Sequence, residues 1–166
     1  PKDGEVVLLL HGEPSWSYLY RYMIPVCSAA GHRVIAPDLI GFGKSDKPTA
    51  LEDYSYQSHM DWMQTFVEAL DLNGITLVCQ DWGSLIGLRL AAEQEQRCAR
   101  IVVGKGMLPT GEQKMPLAFK VWKTFALHSP WFPISRIVES GSAKKCDQDL
   151  QRAYNAPFPD SSYKAG

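Results

Sequence analysis

One acidic residue, Asp81, stands where the sequence pattern predicts a reactive side chain. It follows the apolar run 75–78 and precedes a helix-like stretch. A strand, a sharp turn that presents one side chain and then a helix form the arrangement called a nucleophile elbow. Elbows usually present serine, whereas this one presents aspartate. The residues alone leave a second interpretation open, in which Asp81 caps the following helix, because aspartate is a favoured N-cap residue.

An aspartate nucleophile restricts the kind of carbon that it can attack usefully. A serine oxygen that displaces a leaving group from saturated carbon forms an ether, which water does not readily cleave. An aspartate oxygen forms an ester, which an activated water can hydrolyse at the aspartate carbonyl. As a nucleophile, Asp81 therefore favours alkyl halides or epoxides over carboxylic esters.

The segment Leu10–Pro14 follows the first predicted strand and reads Leu-His-Gly-Glu-Pro. Hydrolysis of an ester intermediate needs two N–H donors aimed at the developing oxyanion. In elbow enzymes one donor is the residue after the nucleophile, here Trp82, and the other lies in a loop after an earlier strand. The backbone of Glu13 fits the second role. The alternative is an ordinary strand-to-helix turn, which glycine and proline also favour.

Two tryptophans, Trp82 and Trp122, are candidates for binding a leaving anion. An indole N–H is a donor with no acceptor to satisfy. Two of them in a dry pocket would suit a halide as it leaves carbon. Trp82 adjoins Asp81, but Trp122 shares helical spacing with Phe119 and Phe125. On the residues alone, the core of a helical lid is the favoured place for Trp122.

A general base is missing from the pattern. Cleavage of the ester needs a water activated by a histidine, which a carboxylate normally orients. The histidines are His11, His32, His59 and His128. None follows a core strand after the elbow, where the order nucleophile, acid, histidine places the base. We therefore expect the base and its acid to lie outside this sequence.

Short apolar runs alternate with helical patterns over the first two thirds of the chain. Strands are predicted over Val6–Leu10, Arg33–Ala36, Ile75–Cys79 and Ile101–Val103, and helices over Ser17–Ala30, Tyr56–Leu70 and Leu85–Ala92. This alternation indicates an α/β fold with a mostly parallel sheet. In such sheets ligands bind beyond the carboxyl ends of the strands, where Asp81 and the Leu10–Pro14 segment fall.

The pattern changes after Gly106. Residues 107–116 have the composition of a linker, and helices are predicted over Leu117–Leu127 and Asp147–Tyr154, with no strand. We expect a core over residues 1–106 and a helical cap over 107–166. The glycines of Asp38–Asp46 match neither common phosphate-binding pattern, so this segment is predicted to be a structural turn, and no cofactor is expected.

Composition excludes several classes of partner. The chain has 166 residues, of which 45% are hydrophobic and 21% charged, with net charge −1. A length of this order suits one domain, and the absence of a basic run argues against nucleic acid. The longest aliphatic run, Val6–Leu10, is too short to cross a membrane. Four cysteines form neither a CxxC pair nor a zinc pattern. No metal is expected, and a reducing, cytoplasmic location is predicted.

On these residues the chain resembles the haloalkane dehalogenases of the α/β-hydrolase superfamily, particularly the branch acting on 1,2-dichloroethane. The resemblance lies in HGEPSWSYLYR (11–21), PDLIGFGKSDKP (37–48), ITLVCQDWG (75–83) and APFPDSSYKAG (156–166). It implies an α/β-hydrolase fold, with helices on both faces of a mostly parallel sheet and an inserted helical cap. Relative to that family, the opening strands and the C-terminal half are absent, so a partial sequence is expected.

The resemblance also implies roles for individual residues. Asp81 would be the nucleophile, and the backbone N–H groups of Glu13 and Trp82 would form the oxyanion hole. Trp82 and Trp122 would bind the halide. The implied reaction is cofactor-free hydrolysis of a small haloalkane to alcohol, halide and a proton, and the implied assembly is a monomer when full length.

Two alternatives remain at this stage. An epoxide hydrolase shares the aspartate elbow and would protonate the opening oxygen with paired lid tyrosines, for which Tyr154 and Tyr163 are the candidates. Trp82 together with Trp122 argues against that activity. The second alternative is a catalytically incomplete α/β-hydrolase that acts as a binding module.

Overall fold

The sheet of the molecule has four strands. A computed structural model describes residues 2–109, 111, 112, 114, 116–129 and 131–166, except for the side chain of His128. The strands are β1 (Val6–Leu10), β2 (Arg33–Ile35), β3 (Ile75–Gln80) and β4 (Cys98–Gly104). They lie in the order β2-β1-β3-β4, and every neighbouring pair is parallel. The four predicted strands are therefore confirmed.

Helices connect the strands and follow the last one. Over the described residues the α-helices are α1 (Met23–Ala29), α2 (Tyr56–Ala69), α3 (Trp82–Glu93), α4 (Leu117–His128), α5 (Ile134–Ser140) and α6 (Gln148–Asn155). Short 3₁₀ helices cover Ser17–Tyr20, Leu51–Asp53, Glu95–Arg97 and Ser161–Tyr163. None of the helices in the part of the chain described here is both long and apolar enough to cross a membrane.

The central strand β1 is buried along its whole length. Because side chains alternate between the faces of a sheet, its residues enter two separate cores. Leu8 and Leu10 belong to a cluster that includes Met60 of α2 and Ile86 of α3. Leu9 belongs to a second cluster, with Val7, Tyr20 and Ile24. Helices thus cover both faces of the sheet, and the predicted fold class is confirmed.

The prediction of one continuous helix over Ser17–Ala30 is wrong. The structure has a 3₁₀ helix over Ser17–Tyr20, and α1 begins separately at Met23. Pro25 explains the break, because proline has no backbone N–H and is tolerated in the first turn of a helix but not in its interior. Tyr20 also anchors the first part, since its hydroxyl donates to the carbonyl oxygen of Leu10 over 2.8 Å.

Two other elements differ from the predictions by three residues at their start, and one helix was missed. Strand β4 is longer than the apolar run Ile101–Val103, because its pairing with β3 extends from Cys98 to Gly104. Helix α3 begins at Trp82, directly after the turn, rather than at Leu85. Helix α5 was not predicted.

The last helix, α6, is attached to the segment that follows β1. The indole N–H of Trp16 donates to the carbonyl oxygen of Ala153 over 3.2 Å. The rings of Tyr18 and Tyr154 meet edge to face, with their centroids 5.6 Å apart. These two contacts hold the C-terminal part of the chain against the loop that carries Glu13.

Candidate active site

Asp81 occupies a strained turn between β3 and α3. Its backbone has φ 52° and ψ −129°, a conformation that residues other than glycine rarely adopt. The carboxylate forms no capping hydrogen bond with α3. Its Oδ1 atom instead accepts a hydrogen bond of 3.0 Å from the backbone N–H of Glu13. The helix-cap interpretation is therefore wrong, because the side chain is directed to the loop after β1.

Two glycines allow this turn to approach β1 closely. A Cβ atom at Gly83 would overlap the carbonyl oxygens of Leu10 and His11, so the start of α3 needs a residue without a side chain. A Cβ atom at Gly12 would overlap the side chain of Asp81. Backbone approach of this kind is a characteristic use of glycine. Gly12 and Gly83 thus bring the Glu13 N–H and the Asp81 carboxylate together.

Ser84 is a residue of the site that the sequence did not single out. Its hydroxyl donates to the carbonyl oxygen of Asp81 over 2.6 Å and accepts from the backbone N–H of Met107 over 3.0 Å. The side chain is fully buried. A small polar residue three positions after Asp81 was the only available signal. Ser84 ties the turn to the segment that leaves β4.

His11 is fully buried and both of its ring nitrogens are occupied. The backbone N–H of Leu39 donates to Nε2 over 2.9 Å. The proton therefore belongs on Nδ1, which donates to the carbonyl oxygen of Gly12 over 3.1 Å. Burial lowers the pKa of His11 to about 4. His11 is thus a neutral structural residue with no lone pair available to activate water.

The described contacts of two other histidines do not involve Asp81. His59, on α2, packs against Trp62 with the ring centroids 5.1 Å apart, and burial lowers its pKa. His32 directly precedes β2, an edge strand. The side chain of His128 lies outside the described residues. Among the side chains that the structure describes, no histidine forms a hydrogen bond with Asp81.

The carboxyl group of Glu13 is a second finding that sequence reasoning missed, because only its backbone was assigned a role. The side chain is half-buried beside Asp81. Burial and, next, the negative charge of Asp81 raise the pKa of Glu13 to about 7. The polar indole N–H of the neighbouring Trp82 opposes the rise. Glu13 therefore titrates near neutral pH within the site.

The two candidate halide-binding tryptophans occupy different environments. Trp82 is the first residue of α3 and directly follows Asp81. Trp122 lies on α4, and its ring centroid is 6.0 Å from that of Phe125 and 5.9 Å from that of Phe132. Within the described residues, its aromatic neighbours are thus other side chains of the C-terminal part rather than Trp82.

The segment Asp38–Asp46 forms a turn organised by one carboxylate. Asp38 accepts hydrogen bonds from the backbone N–H of Ser17 over 2.7 Å and from that of Lys44 over 2.8 Å. Gly43 has φ 49°, and a Cβ atom at this position would overlap the carboxylate of Asp38. Across the described side chains, no cluster of three or more histidine, cysteine or acidic groups has the arrangement of a metal site.

The fold and the elbow define the class of the protein. Residues 5–132 match the family model of the alpha/beta hydrolase fold. The chain therefore belongs to the α/β-hydrolase family. A parallel sheet with helices on both faces and a sharp turn after β3 agrees with this assignment.

Within that family, its similarity is to haloalkane dehalogenases. The whole chain is 57% identical to a haloalkane dehalogenase of Psychrobacter cryohalolentis and 55% identical to one of Mycolicibacterium paratuberculosis, and covers 55% of each. The chain thus spans about half the length of these curated relatives. The resemblance that the motifs indicated is confirmed.

Solved structures give the same relationship. The tetrameric haloalkane dehalogenase DpaA of Paraglaciecola agarilytica superposes with a TM-score of 0.94 at 40% identity, over 100% of this chain and 56% of that one. A putative ancestral haloalkane dehalogenase, AncHLD2, superposes with a TM-score of 0.84 at 29% identity, over 99% and 61%.

Proposed function

We propose that the gene product containing this sequence hydrolyses the carbon–halogen bond of small haloalkanes to give an alcohol, a halide ion and a proton. One observation carries the proposal: the carboxylate of Asp81, on a strained turn, accepts a hydrogen bond from the Glu13 backbone instead of capping α3. A group held this way is oriented for attack rather than for helix stability. The high identity to haloalkane dehalogenases supports the choice of substrate.

The first step is a displacement at saturated carbon. Because Oδ1 of Asp81 is held by the Glu13 N–H at 3.0 Å, Oδ2 is the oxygen left to attack. A new carbon–oxygen bond forms as the carbon–halogen bond breaks, and the bonding electron pair leaves with the halide. The product is an alkyl ester of Asp81. The indole N–H groups of Trp82 and Trp122 are proposed to receive the halide.

The second step hydrolyses the ester at its carbonyl carbon. Water adds there, and Oδ1 becomes the oxyanion, facing the Glu13 N–H that already binds it. The backbone N–H of Trp82 is proposed to be the second donor of this oxyanion hole. The tetrahedral intermediate collapses to release the alcohol and restore the carboxylate. The water proton passes to a histidine base, which we place, with its acid, outside these 166 residues.

The proposal extends to organisation and setting. Residues 1–106 form the catalytic core, and 107–166 belong to a cap that closes over Asp81. No cofactor or metal takes part. We propose a monomer in the cytoplasm, although the solved relative DpaA is described as tetrameric. Light scattering of the gene product tests the monomer directly.

The tyrosines required by the epoxide hydrolase alternative are engaged elsewhere. Tyr154 is buried and packs edge to face on Tyr18. Burial raises the pKa of Tyr154, which makes its hydroxyl a weaker acid. Tyr163 lies in a 3₁₀ helix at the surface, 41% exposed. These environments favour the dehalogenase.

The test compares two reactions of one preparation. The full gene product is incubated with 1,2-dibromoethane and 1,2-dichloroethane, with halide release as the readout, and in parallel with epoxides, with diol formation as the readout. We expect halide release, no diol, and loss of at least about 10⁴-fold in rate for Asp81→Asn. Diol formation would support the epoxide hydrolase alternative. Inactivity on both kinds of substrate would support the alternative of a catalytically incomplete binding module.

The chain of 166 residues allows a separate test of the nucleophile. In a sample whose fold is verified by circular dichroism, 1,2-dibromoethane should leave a bromoethyl ester on Asp81, because no base is present to hydrolyse it. Peptide mass spectrometry locates the adduct, and Asp81→Asn is the matched control. An unmodified Asp81 in folded protein would count against its assignment.

A further inference from the structure

The peptide group between Gly12 and Glu13 is held at both of its ends. Its N–H, which belongs to Glu13, donates to Oδ1 of Asp81 over 3.0 Å. Its carbonyl oxygen, which belongs to Gly12, accepts three hydrogen bonds. The donors are Nδ1–H of His11 over 3.1 Å, the hydroxyl of Ser15 over 2.9 Å and the backbone N–H of Ser15 over 2.9 Å. Because a peptide group is planar, fixing its oxygen also fixes the direction of its N–H.

The local turn alone does not require all three donors. The turn over residues 12–15 is closed by a single backbone bond, from the N–H of Ser15 to the Gly12 carbonyl, as in an ordinary β-turn. The His11 imidazole and the Ser15 hydroxyl are additional donors to the same oxygen. These two side chains are 0% and 6% exposed, respectively. Hydrogen bonds in such a buried place are stronger than at the surface.

His11 also connects this peptide to a third part of the chain. The backbone N–H of Leu39 donates to Nε2 of His11 over 2.9 Å, and Nδ1–H of the same ring donates to the Gly12 carbonyl. The Glu13 N–H and its bond to Asp81 continue the series. Hydrogen bonds in series polarise one another, by about 10–30% per bond. The turn that contains Leu39 thereby contributes to the strength of the donor at Asp81.

We propose that His11 and Ser15 are positioning residues for the oxyanion hole: their side chains polarise the 12–13 peptide and direct its N–H at Oδ1 of Asp81. The inference rests on the proposed function, because it concerns the second step of the same reaction. Neither side chain touches the substrate. Both draw electron density toward the Gly12 oxygen, which leaves the Glu13 N–H more positive and a stronger donor.

The two chemical steps should respond differently to this polarisation. During the attack on the haloalkane, negative charge leaves the carboxylate of Asp81, so a strong donor at Oδ1 does not accelerate the step. During hydrolysis of the ester, negative charge develops on Oδ1, and the donor stabilises it. Loss of a polarising side chain should therefore slow hydrolysis and spare alkylation. A purely structural role would displace Asp81 and slow both steps.

Two variants of the full gene product remove one polarising donor each. Ser15→Ala removes the hydroxyl and keeps the backbone N–H that closes the turn. His11→Gln can keep an acceptor toward Leu39 but places no donor beside the Gly12 carbonyl. Ser17→Ala is the matched control, because Ser17 contributes to this region through its backbone N–H, which the change preserves. Circular dichroism verifies the fold of each variant, and either folded variant alone decides the question.

The measurement is a rapid-quench experiment with the protein in excess over 1,2-dibromoethane. Bromide release gives the rate of alkylation, and mass spectrometry of the quenched protein gives the decay of the Asp81 ester. In Ser15→Ala and His11→Gln, the ratio of the hydrolysis rate to the alkylation rate should fall about threefold to tenfold, as expected for the loss of one hydrogen bond. Ser17→Ala should keep the wild-type ratio.

The outcomes separate this inference from the proposed function. An unchanged ratio in the folded variants, whether both steps keep their rates or slow together, overturns the positioning role and leaves dehalogenation intact. Wild-type protein that gives neither bromide nor an ester on Asp81 overturns the proposed function and the inference with it.

Discussion

The hydroxyl of Ser84 accepts a hydrogen bond of 3.0 Å from the backbone N–H of Met107. The same hydroxyl donates to the carbonyl oxygen of Asp81 over 2.6 Å. One buried side chain therefore connects the Asp81 turn to the start of the segment that leads from the sheet into the helical C-terminal part. Displacement of that segment would therefore shift the backbone of Asp81.

Replacing Ser84 with alanine should destabilise the protein and loosen the turn. The change leaves the Met107 N–H and the Asp81 carbonyl without this partner, at about 1–2 kcal/mol of unfolding free energy. Urea unfolding measures the loss, and halide release by the full gene product should fall several-fold. Ser142→Ala is the control, because its exposed hydroxyl bonds only to a helical carbonyl. Equal stability of the two variants would contradict the assigned role.

Replacing Gly83 with alanine should be more damaging than its small volume suggests. The added methyl group would overlap the carbonyl oxygens of Leu10 and His11, so α3 must move away from β1. Overpacking of this kind costs about 1–3 kcal/mol. Gly104→Ala, where a Cβ meets no atom within 4 Å, should change stability by less than about 0.5 kcal/mol. Thermal and urea unfolding of both variants make the comparison.

Replacing Trp122 with phenylalanine separates its two possible roles. The ring contacts with Phe125 and Phe132 can persist without the indole N–H. If the Trp122 N–H donates to the halide, this change should lower the affinity of the protein for bromide about tenfold or more. A loss of that size is expected when a hydrogen bond to a charged group is removed. Trp131→Phe, at a 61% exposed position in the same part of the chain, serves as the control. Unchanged bromide binding would make Trp122 a packing residue only.

The stability of the fold should carry two opposing pH dependences. His11 has a pKa of about 4 when folded and 6.5 when unfolded, so between these values the unfolded chain binds more protons. Stability from His11 is complete above pH 6.5 and is lost as pH falls toward 4. Glu13 has a pKa of about 7 when folded and 4.5 when unfolded. Its contribution is complete below pH 4.5 and is lost as pH rises through 7.

Variants should reveal both slopes. Glu13→Gln removes one of them, and its unfolding free energy should rise from pH 4.5 to 6.5 more steeply than that of the wild type. The full His11 contribution is on the order of 3 kcal/mol. His11→Asn should show the opposite change, with stability falling across the same interval relative to the wild type. Urea titrations at several pH values provide the measurement, and parallel profiles for all three proteins would contradict it.

Much of the framework was readable because it follows from periodicity. The run Val6–Leu10 is uniformly apolar and matches β1 residue for residue, since a strand buried on both faces has no polar positions. The pattern of α2 placed Met60 and Met63 on its buried face. The sequence also predicted that Asp81 follows β3 in a turn, but it left open whether the carboxylate caps α3 or serves as a nucleophile.

Other features depend on contacts between distant parts of the chain. The limits of β4 are set by pairing with β3, and its outer residues Cys98 and Gly104 carry no strand signal of their own. The raised pKa of Glu13 arises from burial and then from the approach of residue 81. The importance of Ser84 arises from the approach of residue 107. Two features that were not predicted did have local signals. Pro25 marks the break before α1, and the apolar spacing of Ile134, Ile137 and Val138 after Pro133 marks α5.

The backbone of Asp81 has φ 52°, so at this one position stability favours glycine whereas the proposed activity requires aspartate. Glycine adopts this conformation without steric penalty, so the residue best suited to the turn is not the residue that the proposed chemistry needs. Directed evolution for heat tolerance alone would favour glycine at position 81 and yield a sturdier, inert protein. A selection that keeps the aspartate must gain its stability elsewhere, and positions such as Gly104, where an added Cβ would meet no atom within 4 Å, are open to that change.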